Sequence, residues 1–251
     1  MRPNRLWDIW AEDKAATNCW LNIPNDYYAE IIAHQGWDSV TIDLQHGMIG
    51  MEDAYAMLTA VSTTDTVPLV RVPWNEPGVI MRALDAGAYG IIAPMINNRQ
   101  ECEAFVGACR YAPDGYRSVG PNRAVLYGGS DYLDKANRTV LTIAMIETVE
   151  ALASLEGICA TPGLDAVLIG PSDLGLSMGR EARSNQTDPE VVKAIDHILA
   201  TAKEAGIRAA IFNSDVDYAR DMAAKGFDLV TVASDTGMLR QGSDLARALK
   251  A

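Results

Sequence analysis

Residues 77–95, PGVIMRALDAGAYGIIAPM, contain one full step of the pattern that decides the fold. Apolar residues at helical spacing predict a helix over Pro77–Leu84, and the glycine that follows is the residue type that ends a helix in the left-handed conformation. The apolar run at the end of the stretch predicts a strand, Gly90–Met95, buried on both faces. This order of helix, glycine and strand is typical of an α/β protein with a parallel sheet.

The same step recurs along the chain of 251 residues. The predicted strands are Thr17–Asn22, Ser39–Leu44, Val67–Val72, Gly90–Met95, Leu141–Ile146, Ala166–Gly170, Arg208–Phe212 and Asp228–Ala233. Besides the helix already described, the predicted helices are Met51–Val61, Gln100–Arg110, Ala151–Ile158, Val216–Ala224 and Asp235–Leu249, with a further helical face along residues 191–202. Eight such steps predict a (β/α)₈ TIM barrel that forms one domain over residues 1–251.

An open, doubly wound sheet is the competing fold. It usually carries a glycine-rich phosphate loop after its first strand. Here residues 23–30, IPNDYYAE, follow the first predicted strand and contain no glycine. The barrel is therefore the favoured interpretation.

Composition excludes several classes of protein. The chain has 21 basic and 33 acidic residues, a net charge of −12, and no basic run of the kind that neutralises nucleic-acid phosphates. No apolar stretch approaches the roughly 20 residues needed to span a bilayer, and the first residues lack the apolar core of a signal peptide. The four cysteines form no C-x-x-C pair. We therefore expect a cytoplasmic protein with reduced thiols.

One segment interrupts the regular alternation. Residues 111–138, YAPDGYRSVGPNRAVLYGGSDYLDKANR, lie between the fourth and fifth predicted strands and are rich in Gly, Pro, Asn, Asp and Arg. Long ordered loops in compact domains commonly bind ligands or cover a site. We expect a long functional loop here, although a variable surface insertion has the same composition.

Polar side chains follow many of the predicted strands. In a barrel of this type the catalytic groups come from the carboxyl ends of the strands. The residues at these ends are Asp43, Gln45, His46, Arg71, Glu147, Ser172, Asp173, Phe212, Asn213 and Ser234. Their convergence at one end of the barrel predicts an active site there.

Two carboxylates suit a metal ion. Glu147 and Asp173 follow neighbouring strands, and a site with two carboxylate ligands leaves positions for water and substrate, as Mg²⁺ and Mn²⁺ require. Alternatively, Glu147 interacts with a helix dipole and Asp173 is a turn residue. The backbone N–H groups of Ser172 and Asp173, in the turn GPSD, can bind a carboxylate or a phosphate.

Arg71 and His46 supply the remaining chemistry. A guanidinium offers a fixed fork of donors to carboxylate or enolate oxygens. A histidine can act as a general base near neutral pH, with Asp43 or Asp85 to orient its ring. An ion pair for Arg71 and a structural hydrogen bond for His46 are the alternatives. None of the six lysines follows a predicted strand, which argues against Schiff-base chemistry.

At these residues the chain resembles the HpcH/HpaI family of metal-dependent (class II) pyruvate aldolases, which includes 4-hydroxy-2-oxoheptanedioate and 2-keto-3-deoxy acid aldolases. The resemblance extends from about residue 20 to residue 245 and rests on several separate motifs. They are IDLQHG (42–47), VRVPWNEPG (70–78), LDAGAYGIIAPM (84–95), RYAPDGYRSVGP (110–121), MIETVEA (145–151) and IGPSDLG (169–175).

The resemblance implies roles for individual residues. The ligands of a divalent cation (Mg²⁺, Mn²⁺ or Co²⁺) fall on Glu147 and Asp173, and the donors to the pyruvate carboxylate on the backbone of Ser172 and Asp173. The residue that stabilises the enolate falls on Arg71, and the general base on His46. Assisting acids fall on Asp43 and Asp85, and a further substrate-binding residue on Phe212.

The implied reaction is the reversible retro-aldol cleavage of a 4-hydroxy-2-oxo acid to pyruvate, or hydroxypyruvate, and an aldehyde, in the catabolism of aromatic compounds or sugar acids. Homotrimers or homohexamers are implied too, with the C-terminal helix, residues 235–250, at a subunit interface. Gln45 and Met145 depart from the glutamate and glutamine common in the family, which bears on the preferred substrate.

Two other functions are compatible with a barrel of this kind. One is a related metal-dependent lyase that cleaves an acyl-CoA thioester, similar to the citrate lyase β subunit or malyl-CoA lyase. Arg117 and Arg123 are then the best candidates to bind the CoA phosphates. The other is a barrel without catalytic activity that acts as a binding module.

Overall fold

Eight parallel strands close into a barrel in chain order, and β8 pairs with β1. The computed structural model describes residues 1–250, except for the side chains of residues 245, 246 and 250. The strands are β1 (Ala16–Leu21), β2 (Ser39–Asp43), β3 (Val67–Arg71), β4 (Gly90–Ala93), β5 (Leu141–Ile146), β6 (Ala166–Ile169), β7 (Arg208–Ile211) and β8 (Leu229–Ser234). The prediction of a (β/α)₈ barrel in one domain is confirmed.

Helices surround the barrel and connect its strands. They are α1 (Arg5–Ala11), α2 (Asp26–Ala33), α3 (Met51–Val61), α4 (Pro77–Asp85), α5 (Arg99–Cys109), α6 (Ala124–Gly128), α7 (Tyr132–Thr139), α8 (Val149–Ala153), α9 (Leu155–Cys159), α10 (Pro171–Ser177), α11 (Pro189–Glu204), α12 (Val216–Lys225) and α13 (Asp235–Lys250). As expected, glycines in the left-handed conformation follow α4, α11 and α12, with φ of +107° at Gly87, +75° at Gly206 and +109° at Gly226.

Two predictions about helices need correction. The single helix predicted over residues 151–158 is two short helices, α8 and α9, which meet at Ser154. The long loop predicted over residues 111–138 contains α6 and most of α7. The buried side chains of Tyr132 and Ala136 stabilise α7 against the inner core, which composition alone does not reveal. Helices α1, α2 and α10 were not among the predicted helices.

Helix α1 lies across the amino-terminal end of the barrel. The side-chain amide of Asn4 donates to the carbonyl oxygens of Tyr89 and Thr139, and the indole of Trp10 donates to that of Asp228. Tyr89 and Asp228 directly precede β4 and β8, and Thr139 lies two residues before β5. Trp10 is also buried in the core inside the barrel. The helix therefore closes the end opposite the predicted active site.

The seam between β1 and β8 differs from the other pairings. Its register shifts between Asn18 and Cys19.

Helix α13 follows β8 and, after Met238, most of its described side chains are exposed. Leu249 is 90% exposed. The helix therefore leaves its own barrel after about one turn.

Candidate active site

The carboxyl ends of the strands surround a cavity of about 300 Å³. It is lined by Trp20, Asn22, Asp43, His46, Arg71, Met145, Gly170, Pro171, Ser172, Asp173, Phe212, Ser234 and Thr236. Most of the residues predicted for the site lie in this one cavity.

Asp43 and Arg71 form a buried ion pair at its base. They end adjacent strands in register, and Arg71 donates from Nε to Oδ1 (2.8 Å) and from Nη2 to Oδ2 (2.6 Å). Burial alone would raise the pKa of Asp43, but the hydrogen bonds and charge of Arg71 outweigh it and hold that pKa below its usual range. The third nitrogen, Nη1, faces the weak acceptor Sδ of Met145 at 3.9 Å.

Trp20 completes this cluster, and no sequence argument identified it. Its indole N–H donates to Oδ2 of Asp43 at 3.1 Å, and the Arg71 guanidinium lies 4.9 Å from its ring centroid. Phe212 packs edge-on against the same ring at 5.2 Å. Its place near the end of the first predicted strand was the one feature of the sequence that could have indicated a role in the site. Trp20 and Phe212 give the cavity an apolar wall beside its charged base.

His46 lies at the mouth of the cavity, on an exposed turn after β2. Its backbone N–H donates to Oδ1 of Asp43 at 3.3 Å. The expectation that Asp43 orients the imidazole ring is not supported, because both oxygens of Asp43 are occupied by Arg71, Trp20 and backbone N–H groups. Asp43 instead fixes the turn that carries the ring.

Glu147 and Asp173 lie close enough for their charges to interact. Glu147 is only 3% exposed, and its Oε1 accepts a hydrogen bond from the backbone N–H of Met95 at 2.8 Å. Burial, and secondarily the charge of Asp173, raises the pKa of Glu147. A methyl group on Gly170 would lie 2.6 Å from Oε2 of Glu147. Any side chain at position 170 would therefore displace this oxygen.

This donor set fits a hard divalent cation. Asp173 lines the cavity and Glu147 is buried next to it without lining it, and the charges of the two carboxylates interact. A bound cation would offset the cost of burying the charge of Glu147. Among the described residues, no group of three or more His, Cys, Asp and Glu side chains could hold a metal ion. Remaining ligands would therefore come from water and substrate, as predicted for an open catalytic site.

The turn GPSD forms the start of α10. Gly170 precedes the helix without a side-chain cap, and Pro171 is its first residue. The first N–H groups of a helix have no partner within the helix. Those of Ser172 and Asp173 belong to this first turn, beside Glu147 and at the edge of the cavity.

Asp85 does not join this cluster within one chain. It ends α4 and pairs with Arg117 at 2.7 Å, and it lines a second cavity together with Arg82 and Arg123. Burial raises the pKa of Asp85 despite the opposing effect of Arg117. Its predicted assistance to His46 therefore has no support from contacts inside the described chain.

The candidate phosphate-binding arginines are already engaged. Arg117 is 4% exposed and also donates to the hydroxyl of Tyr132 at 3.1 Å. Arg123 donates to the carbonyl oxygens of Ala86 and Leu58. These contacts stabilise the segment between β4 and β5 and leave little of either guanidinium for a CoA phosphate.

No helix within residues 1–250 has the length and apolar character needed to cross a membrane.

Comparison with known proteins shows that this chain is similar to aldolases. The chain is 44% identical over 250 residues to the hydroxypyruvate/pyruvate aldolase of Rhizorhabdus wittichii, covering 98% of this chain and all of that one. It is 32% identical to the 5-keto-4-deoxy-D-glucarate aldolase of Shigella dysenteriae, covering 96% and 94% of the two chains. A crystal structure of an HpcH/HpaI aldolase/citrate lyase family protein from Burkholderia cenocepacia superimposes with a TM-score of 0.90, at 33% identity and 98% coverage of both chains.

The sequence profile of one family matches residues 16–242, from the first strand into the last helix. The predicted resemblance and the predicted class of carbon–carbon lyase are thereby confirmed at the level of the family. The chain belongs to the HpcH/HpaI aldolase/citrate lyase family.

Proposed function

We propose that this protein is a divalent-metal-dependent aldolase. It cleaves a 4-hydroxy-2-oxo acid reversibly to pyruvate, or hydroxypyruvate, and an aldehyde. The observation that carries the proposal is the buried Asp43–Arg71 pair, which directs a guanidinium into the cavity shared with His46 and the start of α10. The similarity to a hydroxypyruvate/pyruvate aldolase over the whole chain supports it.

Arg71 stabilises the charge that develops on the 2-oxo acid. Two of its nitrogens are committed to Asp43, and Nη1 faces only a weak acceptor, so it is available to a substrate oxygen. A donor fixed in advance requires little reorganisation when charge moves onto that oxygen during cleavage. Trp20 limits the movement of the guanidinium further by stacking against it.

The substrate carboxylate binds at the start of α10, where the backbone N–H groups of Ser172 and Asp173 donate to its oxygens. Glu147 and Asp173 would hold the cation, for which Mg²⁺, Mn²⁺ and Co²⁺ are candidates. When bound, a divalent cation supplies Lewis-acid stabilisation of negative charge on the substrate oxygens. Phe212 and Trp20 pack against the apolar part of the 2-oxo acid.

His46 moves the proton of the C4 hydroxyl. In the cleavage direction it accepts this proton while the C3–C4 bond breaks, the aldehyde forms, and the bonding electrons pass to the fragment held by Arg71. C3 then takes a proton from water and His46 returns its proton to the solvent, which gives pyruvate or hydroxypyruvate. The position of His46 at the mouth suits a hydroxyl on the part of the substrate that leaves as the aldehyde. The role predicted for Asp85 remains a prediction.

We propose that the chain acts in the cytoplasm as a homotrimer or homohexamer. The exposed side chains of α13 after Met238 support an interface between subunits on this helix. Light scattering coupled to size-exclusion chromatography tests this directly. A stable monomer at micromolar concentration would contradict it.

The function is tested with a panel of aldehydes offered together with pyruvate or hydroxypyruvate and several divalent metals. Carbon–carbon bond formation should vanish with EDTA and return when Mg²⁺, Mn²⁺ or Co²⁺ is added. Turnover that persists after exhaustive chelation would contradict the mechanism. Cleavage of acyl-CoA thioesters in the same assay, without activity on free 2-oxo acids, would favour the alternative lyase.

A further inference from the structure

Asp235, the first residue of α13, links the end of the last strand to the loop that follows the first strand. It lies directly after β8, and its side chain is fully buried. Oδ2 accepts the backbone N–H groups of Asn22 (2.7 Å) and Ile23 (2.8 Å). Oδ1 accepts the side-chain amide of Asn22 (3.0 Å) and the backbone N–H of Thr236 (2.6 Å). Three of these four donors belong to the loop after β1.

This connection lies where the barrel is least regular. The pairing between β1 and β8 shifts its register at Asn18 and Cys19, and its last matched pair is Trp20 with Ser234. Beyond that pair, the Asp235 carboxylate replaces strand pairing as the link between the two chain segments. On the β8 side, the position of Asn22 therefore depends on its hydrogen bonds to the Asp235 side chain.

Asn22 in turn supports the turn that carries His46. Its carbonyl oxygen accepts the backbone N–H of Met48 at 3.0 Å. A methyl group on Gly47 would lie 3.2 Å from the Cα of Asn22 and would overlap the carbonyl oxygen of Asp43. The turn is thus held between Asp43 at its start and Asn22 at its end, with His46 between them.

We propose that Asp235 is a positioning residue for the aldol step, which acts on His46 through Asn22. The inference rests on the proposed function, because it assumes that His46 transfers the C4 hydroxyl proton. Arg71 and Glu147 are held by other contacts, to Asp43 and to the backbone of Met95. Loss of the Asp235 carboxylate should therefore disturb proton transfer and leave the binding of a 2-oxo acid intact.

The test is the variant Asp235→Asn, which keeps the size of the side chain but turns an amide NH₂ toward N–H donors. A displacement of a catalytic group by about 1 Å can cost about 100-fold in rate. We expect kcat for cleavage to fall by about 10- to 100-fold, while the Kd of oxalate, a planar analogue of a 2-oxo acid, stays within about twofold in the presence of Mn²⁺.

Asp38→Asn is the matched control. The Asp38 carboxylate also binds β1, accepting the backbone N–H and hydroxyl of Thr17, both at 2.8 Å, but it lies at the opposite end of the barrel. We expect this variant to keep both kcat and oxalate affinity. A second variant is Asp235→Ser, whose shorter side chain carries no amide NH₂ and offers a single hydroxyl in place of the carboxylate. It should also lower kcat and leave oxalate affinity unchanged, and it tests the inference if Asp235→Asn does not fold.

Three results would overturn the inference: unchanged kcat in the Asp235 variants, a parallel loss of oxalate affinity, or dissociation of the oligomer, which would make the role merely structural. These results differ from failure of the proposed function. If the unaltered protein cleaves no 4-hydroxy-2-oxo acid with any metal, the proposed function is wrong. If it is active and the Asp235 variants match it, only the role of Asp235 is wrong.

Discussion

Arg71 and Asp43 meet side by side, with two nitrogens of the guanidinium on the two oxygens of the carboxylate at 2.8 and 2.6 Å. Parallel pairing of β2 with β3 brings them into register, so the geometry follows from the barrel itself. The pair is buried at the base of the cavity.

Arg71→Lys should remove most of the activity while retaining the positive charge. A lysine ammonium cannot bind both oxygens of Asp43 and also present a fixed donor to the substrate. We expect a loss of about 100- to 1,000-fold in kcat. Exchange of the pyruvate C3 protons into D₂O, followed by NMR, should fall in parallel. Exchange at the normal rate would show that Arg71 does not stabilise the developing charge.

Asp43→Asn should destabilise the fold by about 3 kcal/mol, because it leaves the buried Arg71 without its counter-charge. The pKa of Asp43 lies below its ordinary value in the folded state, so its contribution to stability is present above about pH 4, the ordinary pKa of an aspartate. It is lost as the pH falls through the lower folded pKa.

Urea unfolding of both proteins at pH 8, 6 and 3 measures this contribution. The difference in the free energy of unfolding should be constant between pH 8 and 6 and smaller at pH 3. A difference that grows on acidification would contradict the assignment of Asp43 as an ionised partner.

Glu147→Gln should weaken Mn²⁺ binding by at least about tenfold, because an amide replaces one of two anionic ligands. The hydrogen bond from Met95 can persist to the amide oxygen, so the local backbone should be unchanged. Isothermal titration calorimetry measures the affinity. Glu150→Gln is the control, because Glu150 lies three residues further along and is exposed. Equal Mn²⁺ affinity in the two variants would contradict a metal site at Glu147.

The metal-free Glu147→Gln variant should also be at least as stable as the unaltered protein at pH 8. Burial raises the pKa of Glu147, so its ionisation disfavours the folded state as the pH rises through the ordinary range of a glutamate. Thermal unfolding in EDTA tests this without reference to activity. A large loss of stability would assign the carboxylate a structural role.

The four cysteines should not react in the native protein. All are buried, and burial raises the pKa of Cys19, Cys109 and Cys159 to about 12 and that of Cys102 to about 11. The thiolate fraction at pH 8 is then about 10⁻³ or less, and the thiolate is the reactive form. Ellman's reagent should titrate none of them before denaturation and all four after it. Rapid native labelling would contradict this burial.

The sequence predicts candidate site residues best where they end or directly follow a strand. Arg71, Glu147 and Asp173 were predicted as site residues because they end or follow apolar runs, and chain order alone brings such ends together in a barrel. Trp20 was missed because its contact with Asp43 depends on the pairing of β1 with β2 and on the direction of one side chain. The hydrogen bonds that the Asp43 carboxylate accepts could not be predicted from the sequence either, for the same reason.

The errors in the fold have a similar cause. Helix α1 is stabilised by carbonyl groups near β4, β5 and β8, which lie 85 to 218 residues away along the chain from the donors. Helix α7 depends on burying Tyr132 against the inner core. Local pattern predicts elements that pack on their sequence neighbours, whereas these two depend on distant partners.

Helix α1, which lies across the amino-terminal end of the barrel, also limits the route by which products can leave. With that end closed by Trp10, both fragments of a cleaved substrate must leave through the mouth beside His46. In the proposed mechanism the aldehyde forms beside His46 at the mouth, and the 2-oxo acid is held deeper at Arg71. Cleavage should therefore release its products in a fixed sequence, with the aldehyde ahead of the 2-oxo acid.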